Sequence, residues 1–562
     1  MNNKDSARLF FIFFLFVILF SATILRLFYW QVVEAQGLSE LGRIQSAQEL
    51  VNTARRGDIL FSDGFPLATN EVNYLLYANP KQVDSIDTYA TRLASPLGLD
   101  AASISALLSK DLYWVRLKDR LEYRKKEEIE SLKLEALGFE QQSTRFYPEA
   151  SIAAHLVGFV GKDEQGEDEG YFGLEGFYNK QLQGREGSIY MVKDALGNPI
   201  LTDVREEKTI NGRTLITSID RTVQFITDRE LKKAVEKYKA DGGSVIIMEP
   251  KTGKILAMDS YPKFDPQEYY EYDGTTYKSP IVSSLYEPGS TFKVLVMAAA
   301  MDMGLVEPST KCDICAAPVE VGEYSIKTWN DKYYANTTMT DVVQHSDNTG
   351  MVYAGRKLGI SNMLAYFSKF GLGRLTNIDL QGEATGTFRN ESEWSTIDLA
   401  TASFGQGISI TPIQLLTAVA SLANGGELMR PMLVSKIITE NGKEIEIKPE
   451  NRGRTVSGKA SKLITWMMVN AVEKGEAKWV KIPNFPVAGK TGTAQIPVAG
   501  HYDPNKTIAS FVGFFPPDNP RIAMLVLMDK PKTSIYGSET AAPLFFNIAR
   551  SLIQYYNIAP TQ

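Results

Sequence analysis

Histidine and cysteine are nearly absent from this 562-residue chain, which has three of the first and two of the second. Five such donors scattered over so long a chain argue against a metal centre built from them. With so few histidines, acyl-transfer chemistry is expected to take its base from another residue type. An excess of positive charge is also missing. The 60 Lys and Arg stand against 66 Asp and Glu, a net charge of −6, which argues against nucleic acid as a partner. Gly 43 and Pro 25 are ordinary shares and leave no room for a collagen-like or Pro-rich stalk. No internal repeat is found. Apolar residues make up 44% and charged residues 22%. That composition is globular, and the length suits roughly two to four folded units.

Long apolar runs are scarce too, with one exception. Residues 9–25 read LFFIFFLFVILFSATIL, with only Ser21 and Thr23 as mild polar breaks. As a helix this run spans about 25 Å, and extension to Val33 takes it past about 30 Å, with Arg26 able to snorkel. No small-residue cleavage site closes it, and Phe28, Tyr29 and Trp30 read as an interfacial belt. We therefore expect a cytoplasmic tail at 1–8, an uncleaved transmembrane helix at 9–33 and the rest of the chain outside the cytoplasm.

Residues 34–235 are mixed in pattern. Short strands broken by Asp63-Gly64 are expected in 55–70, and helices with a solvated face in the charge-dense 110–137. The acidic, Gly-rich 158–187 reads as loop, without the spacing of an EF-hand. The pattern changes near Asp241-Gly242. A hairpin is expected around the turn Pro250-Lys251-Thr252-Gly253, then a mostly apolar helix from about 290 to 303. Strands are expected at 508–515 and 521–528, and a last helix at about 539–555. Strands near both ends with helices between predict an α+β domain over 236–562, with an antiparallel sheet flanked by helices.

Three short motifs bear chemistry. Ser290-Thr291-Phe292-Lys293 follows Glu287-Pro288-Gly289, so Ser290 falls at a helix start and Lys293 one turn later on the same face. Burial and nearby positive charge lower a lysine pKa, and a neutral amine beside a hydroxyl can take its proton. On its own the motif reads equally as an N-cap and a surface lysine. Ser346-Asp347-Asn348 alone reads as a polar turn. Lys490-Thr491-Gly492-Thr493 resembles a phosphate loop only superficially, because Asn484 stands where that loop needs glycine. Its residues allow an extended strand on which Gly492 permits close backbone approach.

The ordered set Ser-x-x-Lys, Ser-x-Asn, Lys-Thr-Gly is a signature of active-site serine penicillin-binding proteins and class A β-lactamases. The chain resembles a class B penicillin-binding protein, a monofunctional peptidoglycan D,D-transpeptidase. The likeness extends through Arg56-Gly57, Arg145-Phe146-Tyr147-Pro148, Gly173-Leu174-Glu175, and residues 257–266, 404–414, 424–426 and 510–516. It implies the transpeptidase fold shared with serine β-lactamases, over 236–562, and a non-catalytic pedestal of the dimerisation type over 34–235. It implies Ser290 as acylated nucleophile, Lys293 as its base and Ser346 as proton shuttle. Asn348 would bond the donor peptide or Lys293. Lys490 and Thr491 would face the terminal carboxylate, Gly492 would lie on the same strand, and the backbone N–H groups of Ser290 and Thr493 would form the oxyanion hole. No cofactor or metal is implied.

The implied substrates are stem peptides ending in D-Ala-D-Ala on lipid-linked precursor strands. The implied partners are a polytopic membrane glycosyltransferase of the shape, division or sporulation type and other division or elongation proteins, with β-lactams as covalent inhibitors. The pedestal, the Glu-Pro-Gly-Ser context and the absence of extra C-terminal modules resemble the septal type. A lateral-wall enzyme and a catalytically silent scaffold are the alternatives.

The chain departs from the family pattern in places. Phe61-Ser62-Asp63-Gly64 replaces a more usual Asp-Arg-Asn-Gly. Lys474-Gly475-Glu476-Ala477 replaces a Gly-Thr-Ala turn and reads as a loop variant. His345 stands before Ser346, where small residues are usual. Cys312 and Cys315 are expected to close a local disulfide in an extracytoplasmic domain.

Overall fold

The computed structural model describes residues 3–38, 47–149, 151–193, 199–498 and 501–560. The expected tail and pedestal thus lie partly outside the described residues, at 1–2, 39–46, 150 and 194–198. The chain forms two compact units.

The first unit joins residues 1–55 with 184–211. It holds the helix Asn3–Phe28, continued by one π-helical turn at Tyr29–Val33. Its 28-residue stretch Ser6–Val33 is long and apolar enough to cross a membrane, and none of it is buried. The strands Ala47–Asn52, Gly187–Lys193 and Pro199–Glu207 form a three-stranded antiparallel sheet.

The second unit joins residues 56–183 with 212–562. The expected pedestal is therefore shared between the two units. Within the second, the short strand Thr214–Thr217 pairs with Val434–Ile438, so one sheet includes strands from both sides of residue 235. Helix Arg221–Tyr238 also runs through that position. Its Val223, Leu231 and Val235 are buried in the same core as Val245, Ile247 and Ala257.

The charge-dense stretch differs from expectation. Helix occupies only Tyr123–Glu130, and Val115–Leu121 is a strand against Pro66–Ala78. Its Val115, Leu117 and Leu121 point inward, while Arg116 and Arg120 are exposed. That two-residue period belongs to a half-buried strand, and the charges masked it. The acidic stretch also contains a hairpin, Phe159–Lys162 with Asp168–Tyr171. Asp163 Oδ1 accepts from the amides of Gln165 and Glu167, so this carboxylate shapes the turn.

Three residues of the pedestal motifs meet in a buried ion cluster. Arg56 Nε donates to Glu175 Oε2 at 2.7 Å and Arg145 Nε to Glu175 Oε1 at 2.6 Å. Glu175 is fully buried, and burial alone would raise its pKa. The two guanidinium charges override burial and hold the carboxyl below its ordinary range. Glu175→Gln would leave two buried cations without a counter-charge. We expect it to cost about 3–5 kcal/mol, measured as a lower urea midpoint of the unit.

The catalytic region is built on β1 (Gly242–Met248) and β2 (Ile255–Tyr261), followed by α1 (Lys293–Asp302), α2 (Asn348–Leu358) and α3 (Gly458–Lys474). It ends with β3 (Ala488–Val498), β4 (His501–Phe515), β5 (Ile522–Asp529) and α4 (Ala541–Tyr555). The sheet is antiparallel throughout, in the order β2-β1-β5-β4-β3. The α+β expectation, with strands from both ends of the domain, agrees with this topology. Side chains alternate across the sheet. Val245, Ile247, Val526 and Met528 share a core with α4, whereas Ile246, Leu525 and Leu527 share one with α1. All of α1 is buried except Asp302, which explains its lack of a polar face. The site lies where α1 approaches the edge strand β3.

Candidate functional site

Gly289 places Ser290. Its φ of 56° lies in the left-handed region, and a Cβ there would come within 3.2 Å of Ala494 Cβ. The following residues form one 3₁₀ turn, Gly289–Phe292, that leads into α1. Thr291 Oγ1 pins the turn by donating to Pro288 O at 2.7 Å. Ser290 is half-buried and lines a cavity of about 410 Å³ with Ser346, Asn348, Glu476, Thr491, Gly492 and Thr493. Trp329 and Tyr536 stand on its rim, with ring centroids 6.0 Å apart.

Lys293, one turn after Ser290, is fully buried. Its Nζ donates to Ser346 O at 2.5 Å and to Asn348 Oδ1 at 2.7 Å, and lies 3.3 Å from Ser346 Oγ. Ser346 has a φ of 57°, a turn that presents both its carbonyl and its hydroxyl to the lysine. Asp347 caps α2 through the amides of Thr349 and Gly350. Asn348 is held from outside by Nδ2 donating to Lys327 O at 3.0 Å.

Strand β3 brings the second lysine. Lys490 Nζ reaches Ser346 Oγ at 2.9 Å, Thr491 O at 3.1 Å and Thr491 Oγ1 at 3.3 Å. Gly492 has no room for a side chain: a Cβ would lie 2.4 Å from Ser510 Oγ and 2.8 Å from Thr291 Cγ2. Thr493 Oγ1 accepts from Gly537 N at 3.0 Å, tying β3 to the loop before α4. The structure therefore brings together all eight residues singled out from the sequence.

Burial dominates the electrostatics. It drives Lys293 well below its ordinary pKa, and the charge of Lys490 pushes the same way. Asp347 and Glu476 oppose both. Burial lowers Lys490 to about 8, with Glu476 opposing. Two lysines sharing one serine hydroxyl cannot both carry protons cheaply.

Glu476 lines the cleft and was not singled out from the sequence. Thr491 Oγ1 donates to Glu476 Oε2 at 3.0 Å, so the stretch read as a loop variant delivers a carboxylate to the lysines. The available signal was a charged side chain, Glu476, in a stretch that departs from the expected family pattern. His345 is exposed, its ring against Gln344. His155 is buried against Phe264 and Thr276 O, and burial lowers its pKa to about 4, a neutral packing residue. Cys312 and Cys315 form a disulfide. It sits in the segment after α1, where Cys312 N donates to Thr337 O. Among the described residues no cluster of three or more His, Cys, Asp or Glu is arranged to hold a metal ion.

A helix-flanked antiparallel sheet with a serine–lysine cleft beside its edge strand defines a class of acyltransferase domain. Residues 243–550 match the penicillin binding protein transpeptidase domain, and residues 51–217 match the penicillin-binding protein dimerisation domain. The chain is 34% identical to stage V sporulation protein D of Bacillus subtilis, covering 100% of this chain and 87% of that one. It is 30% identical to the peptidoglycan D,D-transpeptidase FtsI of Escherichia coli, covering 95% and 89%. The solved structure of penicillin binding protein 2X from Streptococcus thermophilus superposes with a TM-score of 0.75 at 25% identity, covering 91% and 80%. The chain belongs to the class B penicillin-binding proteins, serine-type D,D-transpeptidases of peptidoglycan synthesis.

Proposed function

We propose that this enzyme crosslinks peptidoglycan stem peptides through a Ser290 acyl-enzyme during septal wall synthesis. The observation behind this reading is the convergence of Ser290, Ser346 and two buried lysines on one cleft. Neutral Lys293 takes the Ser290 proton as Oγ attacks the penultimate carbonyl of a D-Ala-D-Ala stem. The backbone N–H groups of Ser290 and Thr493 receive the oxyanion. Ser346 relays that proton from Lys293 to the leaving D-Ala amine, and Lys490 with Thr491 receives its carboxylate. Asn348 holds Lys293 and the donor peptide. An amine on a second stem then attacks the ester, and Ser290 regains its proton.

In this reading 1–8 is cytoplasmic, 9–33 crosses the membrane once, 34–235 is the pedestal and 236–562 is the extracytoplasmic catalyst. Lipid-linked strands come from a polytopic glycosyltransferase that packs on the membrane helix and pedestal. The septal assignment rests on the Glu287-Pro288-Gly289-Ser290 context and the pedestal. The likeness to a stage V sporulation protein favours a spore-wall role as second reading. A lateral-wall role would place a fluorescent fusion along the cell flank, and a septal one at midcell. Benzylpenicillin followed by peptide mapping tests the chemistry. A stable adduct on Ser290 is expected, whereas rapid turnover of the drug or an adduct elsewhere would refute the reading.

A further inference from the structure

The hydrogen-bond chain through the cleft distinguishes its two lysines. An ammonium has three donors and no acceptor, while a neutral amine has two donors and one lone pair. Lys490 Nζ faces three oxygens: Ser346 Oγ at 2.9 Å, Thr491 O at 3.1 Å and Thr491 Oγ1 at 3.3 Å. Thr491 Oγ1 can accept from Lys490 only while its own hydrogen points elsewhere, and that hydrogen goes to Glu476 Oε2 at 3.0 Å. Lys293 has two close acceptors, Ser346 O and Asn348 Oδ1, and faces Ser346 Oγ at 3.3 Å with what remains. Both amines thus face three oxygens, and what sets Lys490 apart is the carboxylate that reaches it through Thr491.

We propose that Glu476 is a positioning residue that, through Thr491, holds the proton of Lys490 in place. This inference rests on the acyl-enzyme reading above. Its mechanism is electrostatic and directional. The carboxylate orients the Thr491 hydroxyl so that a lone pair faces Lys490. Its charge favours the ammonium there, where Lys490 is buried and little hydrated. A cationic Lys490 in turn disfavours a second charge on Lys293. Removal of the carboxylate lets both lysines lose protons at lower pH, which agrees with the direction of its influence on each. The remaining ionisable groups around the pair stay in place. Asp347 is committed to capping α2. Glu539, which lines the cleft, accepts from Ser534 in its own loop at 2.6 Å. Tyr536 lies on the rim, and the His345 ring is turned toward Gln344.

The test is the pH profile of acylation by a fluorescent penicillin in the full-length, detergent-solubilised protein, from about pH 5.5 to about pH 10. In the wild type the acid limb reports loss of neutral Lys293 and the alkaline limb loss of charged Lys490. Glu476→Gln keeps an acceptor for Thr491 and removes the charge. Both of its limbs are expected to move down by about one pH unit, a loss of about tenfold above the alkaline limb with no loss on the acid side. Glu476→Asp should restore the wild-type position, and Glu476→Thr should shift as the glutamine variant does. A soluble glutamine or threonine variant whose profile coincides with the wild type, or is scaled down without displacement, would overturn the proposal. Absence of any adduct in the wild type itself would instead overturn the acyl-enzyme reading on which it stands.

Discussion

Ser290→Ala is expected to abolish covalent labelling by penicillin and to reduce crosslinking on the order of 10⁶-fold. The other hydroxyls around the cleft offer no ready substitute. Ser346 Oγ lies between both lysines, Thr491 Oγ1 donates to Glu476, and Thr493 Oγ1 accepts from Gly537. Ser290 stands at the start of a turn whose backbone is set by Gly289 and Thr291, neither of which changes in the variant. Its fold should therefore survive, and its melting temperature should stay close to that of the wild type. Labelling of the alanine variant at the wild-type rate would place the nucleophile elsewhere.

Lys293→Met is expected to slow acylation by about 10³-fold without loss of stability. Methionine fills a similar volume in the buried helix and brings no charge to desolvate. Of the partners left behind, Asn348 borders the open cavity and its Oδ1 can take a water in place of the amine, while the unmade bond to the buried Ser346 O costs about 1–3 kcal/mol, which release of the buried amine offsets. Lys293→Arg separates charge from basicity. The guanidinium keeps the positive charge but cannot give up its proton near neutral pH, so it should be as slow as methionine. In the wild type, acylation should fall as pH drops and Lys293 takes up a proton, because a protonated amine accepts none from Ser290. Its depressed pKa moves that fall to a lower pH than an ordinary lysine would allow. Stopped-flow acylation rates across pH would read each effect. An arginine variant as fast as the wild type would remove Lys293 from the base role.

Most of the cleft could be read from the sequence because its parts are short, ordered and separately recognisable. Ser290 with Lys293, Ser346 with Asn348, and Lys490 through Thr493 each stand in a local pattern with its own turn chemistry. The sheet was legible for a similar reason, since Ile247 and Met524 belong to uninterrupted apolar runs. Glu476 was not legible, because its role depends on a hydrogen bond to Thr491, 15 residues away, that no periodicity encodes. The strand at 115–121 was obscured when four charges on one short segment outweighed the inward alternation of Val115, Leu117 and Leu121. The buried cluster of Arg56, Arg145 and Glu175 lay between these cases. Its residues were noticed as motif members, but their meeting spans 119 positions and exists only in the fold.

The strand order has a consequence for how the enzyme comes into being. Gly242 pairs with Asp529, so the first strand of the catalytic region must wait for the last. Between them lies the whole segment that holds Ser290 and Ser346. A chain emerging residue by residue can form the nucleophile turn and α1 early, yet Lys490 and β3 join only after β4 and β5 have been delivered. Pairings this distant close slowly. The half-built domain thus holds its serine without the second lysine, and reactivity arrives as a late event of folding.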